Sequence, residues 1–163
     1  MTVLIITLVY SVSTSMELEK PNLTESRAQY EANNFAIYSS ALTAFAQLNT
    51  VTTNSTINDT SLTLPSGYVK GAWTNKIVDI GGKQVLLTYS TIPFPNANGR
   101  NKDMIYYLES ILEDSMTLGW TQSNTVMSNN YHNGTNFVLN TGVTIPASTT
   151  LPDNTVIIFK FLS

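Results

Sequence analysis

The first sixteen residues, Met1–Met16, contain no Asp, Glu, Lys or Arg, and this run constrains the fold more than any other feature of the chain. Val3–Val12 is strongly apolar, and charged residues begin only at Glu17. A helix needs about 20 apolar residues to cross a bilayer, so a run of this length would span only a thin or locally thinned one. We expect residues 1–20 to form an N-terminal apolar membrane segment and residues 21–163 to form a single α+β domain.

Two other interpretations of this run remain open. A secretory signal peptide normally has basic residues before its apolar core and small residues at the cleavage site. No Lys or Arg precedes Glu17, although Ser13 and Ser15 could flank a cleavage site. Alternatively, Val3–Val12 could be a buried strand of the domain, since it is rich in Val, Ile, Leu, Thr and Tyr.

The composition excludes several classes of function. A chain of 163 residues and 17.9 kDa has the size of one domain. The net charge of −3 and the eight scattered Lys and Arg residues argue against a binder of duplex nucleic acid. The chain has no cysteine, so disulfides, thiolate catalysis and Cys-ligated zinc are excluded.

A long amphipathic helix is predicted from about Thr24 to Leu48. Apolar residues recur there at helical spacing, with polar residues between them, and Glu25 lies near the positive end of the helix dipole. The apolar face contains Ala28, Phe35, Tyr38, Leu42 and Phe45. We interpret it as a packing face that needs a sheet or another helix to cover it.

The rest of the chain predicts short strands and a second helix. The predicted strands are Tyr68–Trp73, Lys76–Ile80, Gln84–Ile92, Phe137–Leu139, Val143–Ile145 and Thr155–Leu162, with a hairpin turn at Gly81 and Gly82. Thr155–Leu162 is apolar on both faces and should lie in the centre of the sheet. The second helix is expected to begin near Asn101 and to stop at Gly119. The order favours an α+β fold in which an N-terminal apolar segment and a long helix pack on a mainly antiparallel sheet, with a second helix.

No group of residues predicts catalysis or a cofactor. His132 is the only histidine, which precludes a His-rich metal site, and we place it in a solvated polar turn. Glu109, Glu113 and Asp114 are expected on the solvated face of the second helix, although paired carboxylates can act as acid and base. Gly81 and Gly82 precede a strand and not a helix, which argues against a phosphate-binding loop. We therefore predict no catalytic, cofactor-binding or metal-ligating residue, and a chain that is not an enzyme.

Two polar segments are candidates for protein contacts. They are Asn49–Ser61, which consists almost entirely of Thr, Asn and Ser, and the turn Ser128–Asn136. Segments of this kind are more often simply solvated. Trp73 is interpreted as a core or helix-facing aromatic residue and not as a stacking platform.

Four features resemble the PilM proteins of type IVB and conjugative thin-pilus systems, and the likeness spans nearly the full chain. They are the uncharged apolar start, the helix segment Tyr30–Tyr38 (YEANNFAIY), the turn Leu64–Gly67 (LPSG) before Trp73, and the closing segments Ile145–Pro146 and Leu151–Val156 (LPDNTV). The resemblance implies a type IV pilus biogenesis or basal-body protein in the bacterial inner membrane, with its main domain in the periplasm. It implies contacts with other pilus assembly proteins or pilin subunits, and no nucleic acid, cofactor or small-molecule substrate.

Three rival functions remain open from the sequence. A pilin or pseudopilin-like subunit of the filament also begins with an apolar segment that continues into a long helix packed on a sheet. A cell-wall enzyme at the pilus base would need a nucleophile and base or a metal cluster, which this inventory cannot readily supply. A secreted adhesin would fit the Asn, Ser and Thr content.

Overall fold

The structure is a computed structural model that describes residues 23–91, 100–112, 117–132, 135–147 and 149–162. The apolar run Met1–Met16 and its three interpretations lie outside the described residues. The boundary predicted between residues 20 and 21 lies outside them as well, and it stays a prediction.

Two helices and one antiparallel sheet make up the described part of the chain. The elements, in chain order, are α1 (Leu23–Leu48), a 3₁₀ turn (Asp59–Ser61), β1 (Trp73–Ile80), β2 (Lys83–Ser90), α2 (Arg100–Leu112), β3 (Leu118–Gln122), β4 (Thr125–His132), β5 (Thr135–Thr144) and β6 (Val156–Phe161). The strands form a six-stranded sheet in the order β1-β2-β6-β3-β4-β5, and every neighbouring pair is antiparallel. This arrangement confirms the predicted α+β fold with a long and a second helix.

The helix α1 packs on the sheet through the face that the sequence predicts. Ala28, Phe35, Tyr38 and Leu42 are buried, at the three- to four-residue spacing of one helix face. The helix ends at Leu48, and the Asn49 side chain donates to the carbonyl oxygen of Phe45 at 2.8 Å. This bond occupies one of the carbonyls that a helix C-terminus leaves unpaired.

The sheet has an apolar core on each of its faces. The helix-side core joins Phe35 and Leu42 to Ile77, Leu86 and other residues of the sheet. The opposite core brings Val78 and Val85, at one end of the sheet, into the same cluster as Val143 of β5 at the other end. Residues from both ends of the sheet can share one cluster because the sheet is curled.

The strand β6 lies in the interior of the sheet, between β2 and β3, as its sequence predicts. Its four residues Val156–Phe159 are all buried, since alternate side chains enter the two cores. The predicted hairpin turn is also confirmed, because Gly81 and Gly82 have φ angles of 64° and 82° and join β1 to β2. Such angles favour glycine.

The prediction of a strand at Tyr68–Trp73 is wrong. The sheet begins only at Trp73, so the predicted strand at Lys76–Ile80 is the second half of one longer strand, β1. A turn at Ser66 and Gly67 leads into an irregular segment. There the Tyr68 hydroxyl donates to the carbonyl oxygen of Asn34 on α1 at 3.1 Å. Tertiary contacts with the helix therefore override the strand propensity of Tyr68 and Val69.

The region after the second helix also differs from the prediction. Gly119 does not stop a helix but lies inside β3, and the hairpin of β3 and β4 was not predicted. A Cβ atom on Gly119 would lie 2.1 Å from the carbonyl oxygen of Met127, so this glycine allows two strands to approach closely. The segments predicted as two strands, Phe137–Leu139 and Val143–Ile145, belong largely to the single strand β5.

Candidate functional site

Of the titratable residues considered for catalysis, the structure describes His132 and Glu109. His132 ends the strand β4 and does not lie in a turn, since Ser128–His132 belongs to β4 and Thr135 begins β5. Glu113 and Asp114 lie outside the described residues. Within the part of the chain that the structure describes, no three His, Asp or Glu side chains lie close enough together to bind a metal ion.

Glu109 is less solvated than its helical position predicts. Its side chain on α2 is half-buried, and burial raises the pKa of this carboxyl group above its usual value. Its helix packs on α1 through Ile105 and Leu108, which are buried in the helix-side core. The predicted solvated face of α2 is therefore only partly solvated.

A hydrogen-bonded cluster, which we call the Asn75 clamp, fastens the connection between α1 and β1 to the domain. The Asn75 side chain on β1 accepts from the Ile57 N–H at 2.7 Å and donates to the Ile57 carbonyl oxygen at 3.0 Å. Its amide thus pairs with the backbone of Ile57 as a neighbouring strand would. The same amide donates to the Tyr38 hydroxyl of α1 at 3.1 Å, and Tyr38 donates to Asp59 Oδ1 at 2.5 Å.

The charged part of the clamp lies at the surface. Lys70 Nζ forms an ion pair with Asp59 Oδ2 and lies 4.9 Å from the centre of the Tyr38 ring. Burial alone would raise the pKa of Asp59, but the hydrogen bonds from Lys70 and Tyr38 and the Lys70 charge outweigh burial and lower it. Burial and the Asp59 hydrogen bond raise the pKa of Tyr38 well above its ordinary value. Tyr38 therefore stays protonated, as a donor to a carboxylate must.

A second set of contacts continues the clamp into the core. The Trp73 Nε1–H donates to the Tyr68 hydroxyl at 3.1 Å, and the Trp73 ring packs edge-on against Phe35 with centroids 5.5 Å apart. Trp73 is buried, which confirms its interpretation as a core residue that faces the helix. Every polar group of the clamp is paired within the domain, so the cluster has the features of a structural fastening and not of a substrate site.

The candidate contact segment Asn49–Ser61 is only partly solvated. Asn54 N–H donates to the Ile77 carbonyl oxygen at 2.7 Å, and Ile77 N–H donates to the Ser55 carbonyl oxygen at 2.9 Å. Ile57 is buried. The expectation that this segment is simply solvated missed this pairing, because a stretch of Thr, Asn and Ser does not indicate which backbone groups will pair.

The helix α1 exposes a second, uncharged face, which was not predicted. Tyr30, Ile37, Ala44 and Leu48 are all exposed and fall on one side of the helix; we call them the α1 stripe. The exposed fractions of Tyr30 and Leu48 are 58% and 85%. The sequence has no charged residue from Ala32 to Asn58.

An open cleft of about 290 Å³ adjoins the α1 stripe. Ser40, Ala44 and Gln47 of α1 form one wall, and Leu112, Ile158 and Lys160 lie among the residues that complete it. Hydroxyl, amide and methyl groups line it, and Lys160 contributes a cation. The cleft and the stripe together form a surface that contains little charge.

The α1 stripe could not be predicted from the sequence because the apolar residues on two faces of the helix recur at the same spacing. Phe35 and Leu42 are seven residues apart and buried, while Ile37 and Ala44 are seven residues apart and exposed. The signal that could have revealed the stripe is the absence of charge on every face after Glu31. A solvated helix normally has charged residues opposite its buried face.

The fold and these surfaces define a small α+β domain with an uncharged exposed helix face. The sequence model of the PilM family matches residues 2–159, and the chain belongs to this family. Membership indicates a role in pilus biogenesis. No curated protein and no solved structure matches the chain. In the described ranges, neither helix is both long and apolar enough to span a membrane.

Proposed function

We propose that this chain is a non-enzymatic component of type IV thin-pilus biogenesis or of the pilus basal body that acts through protein–protein contacts. The observation that carries the proposal is the PilM family match over residues 2–159, which includes both the apolar start and the domain. The family is generally non-enzymatic in function. The absence of cysteine and the single histidine agree with a role in contacts, since they leave few groups for catalysis.

The contact surface that we propose is the α1 stripe with its adjoining cleft. Isolated exposed apolar residues are common on protein surfaces, but a continuous uncharged helix face indicates a surface that binds a partner. The partners proposed are other pilus assembly proteins or pilin subunits. An apolar or small-residue helix of such a partner would pack on this face as an amphipathic helix packs in a groove.

Residues 1–20 are proposed to anchor the protein in the bacterial inner membrane, with residues 21–163 in the periplasm. The uncharged run Met1–Met16 supports this placement. Carbonate extraction of membranes tests it, and the expected result is that the intact full-length protein stays with the membrane pellet. Quantitative release of the intact protein into the soluble fraction would contradict the anchor.

The pilus role is tested separately by deletion of the gene. We expect loss of thin pili and their return when the wild-type gene is supplied in trans. Unchanged piliation in the deletion strain would contradict the role, whatever the result of the extraction.

A pilin or pseudopilin-like subunit is the second candidate function. It is favoured by a long N-terminal helix that packs on an antiparallel sheet, here α1 on β1, β2 and β6. Shearing of intact cells distinguishes the two functions. A filament subunit is recovered with the sheared pili in proportion to pilin, whereas an assembly component stays with the cells.

A further inference from the structure

The two edge strands of the sheet differ in whether other residues of the chain cover them. At the β1 edge, Ile77 exchanges backbone hydrogen bonds with Asn54 and Ser55, and the Asn75 side chain pairs with the backbone of Ile57. Residues 54–57 therefore act as a cover for this edge. The outer backbone groups of β1 at Ile77 are therefore not available to a strand from another chain.

The other edge of the sheet is the strand β5. It is ten residues long, Thr135–Thr144, and β4 is its neighbour. In the described ranges of the chain, no strand lies beyond β5. The sequence of β5 contains no Lys, other charged residue or Pro, which often protect an edge strand, and the pairing of β5 with β4 has one irregularity, between Thr125 and Met127 of β4.

We propose that β5 pairs with β5 of a second copy of this chain, antiparallel and about a twofold axis, to make one continuous sheet across a dimer. An antiparallel strand paired with itself is self-complementary, so each copy presents the same surface to the other. Because the β1 edge is covered, the pairing closes at two copies and does not propagate into a fibre. The proposal rests on the two sheet edges and is independent of the proposed pilus function.

The charge distribution favours a second copy as the occupant. From Ser115 to Pro152 the sequence contains no Asp, Glu, Lys or Arg. Two copies of β5 can therefore pair without like-charge repulsion between directly opposed residues, whichever residues the pairing aligns. Such repulsion would destabilise the pairing. A strand from a charged partner would find no complementary charge along this edge.

Light scattering on the full-length protein in mild detergent tests the proposal. The expected protein mass is twice the chain mass of 17.9 kDa. The variant Asn140→Lys, Thr144→Lys places two positive charges on each edge strand and should shift the mass to that of one chain. The matched control Thr63→Lys, Ser66→Lys adds the same charge at exposed positions in the connection before β1 and should remain dimeric.

Disulfide crosslinking provides a second measurement that does not depend on the lysine variant folding. The chain has no cysteine, so single cysteines can be introduced at Asn136, Val138 and Asn140 in turn. Crosslinked dimer should be greatest at the position nearest the twofold axis and absent for Thr74→Cys on the covered strand β1. A wild-type protein of single-chain mass, a dimer that the lysine pair leaves intact, or equal crosslinking from β1 and β5 would each overturn the proposal.

Discussion

At the scale of single residues, Asn75 connects three parts of the domain through one side chain. Its buried side chain pairs with both backbone groups of Ile57 and donates to Tyr38, so it joins β1, the preceding connection and α1. Polar groups that lose such a partner inside a protein keep their full desolvation cost. Stability should therefore be sensitive to this one amide.

We predict that Asn75→Ala lowers the free energy of unfolding by about 1–3 kcal/mol, since it leaves the Ile57 N–H and carbonyl unpaired. Urea unfolding followed by circular dichroism measures the change. Asn33→Ala, at an exposed position on α1, is the control and should change stability by less than about 0.5 kcal/mol. Equal effects of the two substitutions would contradict the role given to Asn75.

Asp59 gives the clamp a predicted pH dependence. The pKa of Asp59 is lower in the folded chain than its usual value, so its carboxylate stabilises the fold above the unfolded pKa of about 3.9. This contribution is lost as the pH falls through the lower, folded pKa. Unfolding at pH 7 and at stepwise lower pH should show wild type more stable than Asp59→Asn at pH 7, with the difference shrinking in acid.

The cause of that pH dependence can be checked by removing the cation. Lys70→Met removes the ion pair that helps to lower the pKa of Asp59. In this background the advantage of Asp59 over Asn at pH 7 should be smaller. An advantage that is the same with and without Lys70, or that grows in acid, would contradict the assignment.

At the scale of elements, the close approach of β3 to β4 depends on a glycine. We predict that Gly119→Ala destabilises the protein by about 1–3 kcal/mol, because the added methyl group meets the backbone of Met127 and the side chain of Val126. Thermal unfolding measures the effect. Gly82→Asn is the control, since that position has a positive φ that asparagine tolerates and no atom within 4 Å of an added Cβ. A smaller effect at Gly119 than at Gly82 would contradict the account.

The elements also show which parts of the fold the sequence could predict. The helix α1 and the strand β6 could be predicted from their own residues alone. The apolar residues of α1 recur at helical spacing over a long segment, and β6 is apolar on both faces. The hairpin of β3 and β4 was missed because Gly119 looks like a helix stop in the sequence, whereas the structure uses it for strand contact. Tyr68–Trp73 was misassigned because hydrogen bonds to α1 decide its conformation.

The surface could be predicted less well than the core, for a physical reason. Burial leaves a periodic pattern in the sequence, but an exposed apolar stripe such as Tyr30, Ile37, Ala44 and Leu48 has the same period as a buried face. Only the packing of α1 on the sheet shows which of its two apolar faces is covered. The Asn75 clamp could not be predicted from the sequence either, because it joins residues up to 37 positions apart.

At the scale of the whole molecule, the domain combines an interior joined by the Asn75 clamp with two surfaces of low charge. Residues 54–57 cover part of the β1 edge, the α1 stripe leaves one side of the long helix exposed, and β5 is the last strand of the sheet among the described residues. These features agree with the proposal that the protein acts in pilus biogenesis through protein–protein contacts. We propose that the α1 stripe contacts pilus partners and that β5 contacts a second copy.

Restoration of pili in the deletion strain by a stripe variant tests the central claim most directly. Tyr30→Lys, Leu48→Lys places charge at two largely exposed positions and should leave the fold and the protein level unchanged. We predict that it fails to restore thin pili, counted per cell by electron microscopy, while wild type and the loop control Thr63→Lys, Ser66→Lys both restore them. Full piliation by the stripe variant at wild-type protein level would contradict the account.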